Sequence, residues 1–167
     1  MIFELLSEAL ERAGRDKHRG LELGRSFAKH AYAQVQDTMA GAFAASSEAH
    51  WRATGAYIDG ECSREQLLEA VAAIRKIETR GERWGMVETP TLVSGVLALC
   101  LRFEETSVQR WHKTLRDLAN DAQSVVAEKA SQRALDDPKK AYAAARWEEA
   151  RWQLQYIIAT EPNLAAG

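Results

Sequence analysis

The sequence predicts an all-α fold: a single-domain helical bundle or array of about six to seven helices, with one long helix near residues 107–134. Three observations carry that expectation. The composition holds 29 Ala and 16 Leu against 8 Val and 6 Ile, an excess of helix formers over strand formers. Apolar residues recur at steps of three and four over most of the chain, the period of one helix face. The interruptions fall at residues that start or stop helices. A length of 167 residues suits one ordinary domain. No fixed-period repeat or low-complexity linker divides it, so residues 1–162 are expected as one domain and 163–167 as a loose tail.

In chain order, Ile2, Leu6, Ala9 and Ala13, flanked by Phe3, Leu5 and Leu10, predict a short amphipathic helix stopping at Gly14. From Leu21 the period resumes through Phe27, Ala28, Ala31, Val35 and Met39 and reaches Tyr57. That is long for one helix in a domain this size, so a break is expected near Asp37-Thr38, Gly41 or Ser46-Ser47. Asp59-Gly60 marks a turn, and Ser63 with Gln66 has the spacing of a capping box. The helix it opens puts Leu67, Leu68, Val71, Ile74 and Ile77 on one face. Arg80 to Thr89 reads as a loop, with Pro90 in the first turn of the next helix. Leu92 to Leu101 is apolar nearly all round and reads as a buried central helix, too short to span a membrane. Thr106 to Gln109 offers a second capping box. Beyond it Trp111, Leu115, Leu118, Ala122, Val125 and Lys129 keep the cleanest period in the chain, to about Ala134. Asp136-Asp137-Pro138 then caps and opens a last helix that Glu161-Pro162 ends.

Chemistry-bearing spacings are missing. No His has a Glu three residues before it, no His pair has ligand spacing, and neither Cys62 nor Cys100 has a second cysteine nearby. No metal or cofactor is expected, and the histidines read as surface or helix-edge side chains. Gly81 to Gly85 lacks a phosphate-loop lysine and a dinucleotide spacing. Adjacent acids such as Glu148-Glu149 diverge by about 100° on a helix, so they read as solvated charge and not as an acid/base pair. The expectation is a non-enzymatic protein. The net charge of −2 gives no global reason for nucleic-acid binding. The local run Arg12, Arg15, Lys17, Arg19, Arg25 and Lys29, against Asp16 and Glu22, reads first as a solvated junction between helices. Glu4 in an acidic start and the two isolated cysteines point to a cytoplasmic protein without a membrane role.

Aromatic placement supplies the candidate partner-binding residues. Arg83, Trp84 and Met86 are residue types of interface hot spots on a loop, where Trp84 serves either as an anchor or as a lid on the core. The last helix carries two stripes, one through Ala143, Trp147, Ala150, Leu154 and Ile157, the other through Tyr142, Ala145, Glu149, Trp152 and Tyr156. Trp147 and Trp152 stand about 140° apart on the helix. Either this helix is inserted between neighbours on two sides, or one stripe, with Arg151, Trp152 and Tyr156, is presented to a partner. A pocket between Leu92 to Leu101 and its neighbours, with close approach at Gly95 and Cys100, is the alternative, for a small-molecule-binding regulator or enzyme.

The stretch Ala56 to Ile74, with its Asp59-Gly60 turn and Ser63-started helix, resembles a segment of alanine-rich helical immunity proteins of bacterial toxin systems. Ala141 to Ala145 matches their alanine-dense helices. The resemblance covers about a fifth of the chain, and this sequence departs from it in having less alanine over Leu92 to Arg116 and more tryptophan. It implies a small helical protein that binds a cognate toxin tightly and stoichiometrically, and it assigns no individual residue. A protein partner is therefore expected, and a homo-oligomer is compatible with the same surfaces.

Overall fold

A computed structural model of the chain describes residues 1–38, 41–78 and 88–161. Seven α-helices appear among them, with no strand: α1 (Ile2–Ala13), α2 (Lys17–Val35), α3 (Gly41–Ile58), α4 (Arg64–Glu78), α5 (Glu88–Arg102), α6 (Val108–Arg133) and α7 (Pro138–Ala159). A 3-10 turn, Gln36–Thr38, follows α2 and makes the break that the long apolar run required. The helix starts are chemically specific. Asp16 accepts hydrogen bonds from the backbone N–H groups of His18 and Arg19, which starts α2 four residues ahead of its apolar period. Ser63 and Gln66 close the expected capping box at α4, at 2.8 and 3.3 Å. At α6 the expected box on Thr106 and Gln109 is replaced by a cap on the next residue, Ser107, which accepts from Arg110 N. Asp137 caps α7 through Lys140 N, ahead of Pro138 in the first turn. The reading of Arg80 to Thr89 as a loop falls largely outside the described residues, although α5 already begins at Glu88. The tail at 163–167 also lies outside them.

The 26-residue α6 is the axis of the fold, about 39 Å long at ~1.5 Å per residue. It packs against α7, α2, α5 and α1, while α5 also meets α2 and α3, and α3 carries α4 as an outer layer. Leu118 of α6 sits where α2 and α5 converge. A methyl group on Gly24 would come within 2.3 Å of Leu99 and 3.1 Å of Leu118, and one on Gly95 within 2.5 Å of Leu118. Gly95 therefore serves helix-to-helix approach, and Cys100 beside it is fully buried. Trp111 is buried too, and its Nε1 donates to the Gly14 carbonyl at 2.9 Å, fixing the α1–α2 corner on α6.

Candidate functional site

The two stripes of α7 lie on opposite flanks and are covered unequally: Trp152 and Tyr156 are half-buried, whereas Ala143 and Trp147 stay exposed. The helix lies on α6 with its buried line at Glu149, Ala150, Gln153 and Ile157. Its Trp147 flank leans toward α1, where the Arg146 guanidinium sits 5.0 Å from the centre of the Phe3 ring. Its Trp152 flank faces α2. Of the two arrangements open from the sequence, α7 adopts insertion between neighbours.

Trp152 stacks on His30 with ring centres 3.5 Å apart and planes 3° from parallel, and it meets the edge of Phe27 and the face of Tyr156. The Tyr156 hydroxyl and Ser26 share a hydrogen bond of 3.1 Å. Trp152 and Tyr156 are thus half-buried side chains of the α2–α7 seam, whereas Arg151 stands at the surface, 3.4 Å from Glu148. Arg83, Trp84 and Met86 lie outside the described residues. The exposed aromatic of α7 is Trp147, 41% accessible, with the Arg151 guanidinium 5.7 Å over its ring. Phe3 of α1, against Arg146, is 40% accessible. α7 therefore carries two arginine–aromatic contacts, one with α1 and one within itself, and Leu5 and Ile158 are further exposed apolar residues of the same two helices.

Sequence reasoning missed the polar clasp under Trp152. Glu149, expected as solvated charge, is 3% accessible. His30 Nδ1 lies 3.1 Å from both carboxylate oxygens, and Gln34 Nε2 donates to one of them at 3.0 Å. Insertion of α7 between two neighbours turned this acid inward, and a buried carboxylate persists only where donors meet it. The one local signal was an acid in the middle of an aromatic stripe. One histidine departs from the surface or helix-edge expectation: His50 is buried, with Nδ1 bonded to the Ser46 carbonyl at 3.0 Å, whereas His30 stands at the edge of α2 within this clasp.

Beside the clasp, α2, α6 and α7 leave a cleft of about 480 Å³ whose wall includes His30, Trp152, Val126, Lys129 and Arg133. Lys129 and Arg133, one turn apart on α6, both hold the Asp37 carboxylate of the 3-10 turn. The hydrogen bond from Lys129, reinforced by Arg133, keeps the Asp37 carboxyl below its ordinary range. The α5 neighbourhood offers an open groove of about 470 Å³ toward α6, lined in part by Ser94, Arg102, Asp117 and Asp121.

Half of the basic run near α2 is engaged within the fold, while Arg12, Arg15 and Lys29 are exposed. Lys17 donates to the carbonyls of Phe103 and Glu105, at 2.8 and 2.5 Å, just beyond the end of α5. Arg19 donates to Ile157 and Thr160 at the end of α7, at 2.9 and 3.2 Å. Both place positive charge where helix carbonyls are left over. Arg25 pairs with Asp59 at 3.2 Å. Among the described residues no group of three or more His, Cys, Asp or Glu could hold a metal ion, and no helix is long and apolar enough to cross a membrane. No family model, curated protein or solved structure matches the chain.

Proposed function

We propose that this protein is a non-enzymatic binding module that acts in the bacterial cytoplasm by stoichiometric contact with a protein partner, as an immunity-type inhibitor of a cognate toxin. The observation that carries the reading is the exposed Trp147 with the Arg151 guanidinium over its ring, on a helix that also sets Arg146 against the exposed Phe3 of α1. Tryptophan and arginine dominate interface energetics because each removes a large surface from water and keeps a polar handle. The resemblance of Ala56 to Ile74 to immunity proteins supports the toxin side of the proposal. Within it the docking centre moves from Trp152 and Tyr156, which face α2, to Trp147 and Arg151. Arg83, Trp84 and Met86 stay as a second candidate contact.

Co-expression with a candidate toxin drawn from the genes next to its own tests this. The expected result is restored growth and a complex of one copy each by size-exclusion chromatography. Trp147→Ala with Arg151→Glu is expected to weaken that complex by about 2–4 kcal/mol, or ~30- to 1,000-fold in Kd, at an unchanged melting temperature. Full protection by the double variant moves the interface elsewhere, and failure of the unaltered protein to bind or protect overturns the reading.

A further inference from the structure

The cleft between α2, α6 and α7 has a use that the protein-binding reading does not supply. Its cations already hold an anion. Lys129 and Arg133, spaced i, i+4, face the same side of α6, and the Asp37 carboxylate lies between them, one oxygen to each. That is the arrangement by which proteins hold carboxylate or phosphate ligands. Asp37 itself is loosely kept: its side chain is 58% accessible and is tied to α6 by these ion pairs. The acids of the cleft do not compete for an incoming group. Glu149 is buried with both oxygens engaged by His30 and Gln34, and Glu148 is turned to Arg151. Val126 and the Trp152 ring provide apolar wall, and the volume of about 480 Å³ falls in the range of small-molecule sites.

We propose that this cleft binds a small organic anion, a carboxylate or a phosphate monoester on a flat or apolar body. The anionic group takes the place of Asp37 on Lys129 and Arg133, and the body lies against Val126 and Trp152. Asp37 is then an internal competitor that the ligand displaces.

The test uses the full chain with benzoate, phenyl phosphate and methyl phosphate, each against sodium chloride of equal ionic strength, read by calorimetric titration and by melting temperature. Saturable binding of benzoate or phenyl phosphate is expected, and whichever binds more tightly identifies the carboxylate or the phosphate as the preferred group. Asp37→Asn, by releasing two exposed ion pairs, should tighten it about tenfold. Lys129→Met with Arg133→Met should abolish it. If that variant fails to fold, Ala145→Leu, which fills the wall and leaves the cations in place, should exclude phenyl phosphate and benzoate while methyl phosphate still binds. The proposal is overturned if neither aromatic anion binds the parent protein or Asp37→Asn. It is equally overturned if the double methionine variant, folded, binds them as well as the parent does.

Discussion

Cys100 shows how burial alone sets a side chain's chemistry. The thiol is fully enclosed in α5, and desolvation pushes its pKa up to about 12. In the unfolded chain a thiol ionises near ~8.5. The folded state therefore keeps a proton that the unfolded state loses, so this contribution to stability is complete below about pH 8.5 and declines as the pH rises toward 12. Cys62 is half-exposed at the turn before α4. With iodoacetamide at pH 8, mass spectrometry of the native protein should show Cys62 labelled and Cys100 protected, with both labelled in denaturant. Labelling of native Cys100 at the rate of Cys62 would mean that α5 opens far more readily than its packing implies. Glu149 is the polar counterpart: it remains buried because His30 and Gln34 meet both of its oxygens.

Among the elements, α7 combines the most legible and the least legible features. Its start at Asp137-Pro138 and its end after Ala159 follow local chemistry that needs no tertiary knowledge, and so do the Ser63 cap of α4 and the period of α6. The starts of α2 and α6 differ from the sequence reading, because the apolar period of α2 begins only at Leu21, beyond its Asp16 cap, and Thr106 with Gln109 has the box spacing that Ser107 lacks. The neighbours of α7 were out of reach for a different reason. Stripe geometry gives directions around a helix, but His30 and Glu149 meet across 119 positions of sequence. The packing of Trp152 leads to a measurable outcome. Trp152→Ala removes a ring that touches His30, Phe27 and Tyr156, and should lower stability by about 2–4 kcal/mol in urea denaturation. A loss below ~0.5 kcal/mol would mark Trp152 as a surface residue and return it to the candidate interface.

Across the whole molecule, packing is graded outward from α6. α1, α2, α5 and α7 all rest on it, and the core runs through Phe27, Leu99, Trp111, Leu115 and Leu118. The outer pair is attached differently: α3 meets α5 and α4, and α4 packs chiefly on α3. Native-state hydrogen exchange should therefore show α4 amides opening at lower free energy than those of α6, whose slowest amides report global unfolding. Equal protection of α4 and α6 would instead make the seven helices a single cooperative unit. The composition and period foretold an all-helical chain, but the outer pair could not be recognised as a layer, since Leu67 and Val71 repeat as regularly as any core stripe.

The reach of Arg19 to the carbonyls of Ile157 and Thr160 has a consequence for synthesis. Chains emerge from the ribosome N-terminus first, so α7 is made after every helix on which it packs. Until it arrives, the nascent chain shows water the face of Phe27 that Trp152 will meet and the Ala119 carbonyl that Gln153 will reach, and Arg19 lacks its α7 carbonyls. Completion of the bundle is thus timed by the emergence of α7, and the interval before it is when a chaperone has most to hold.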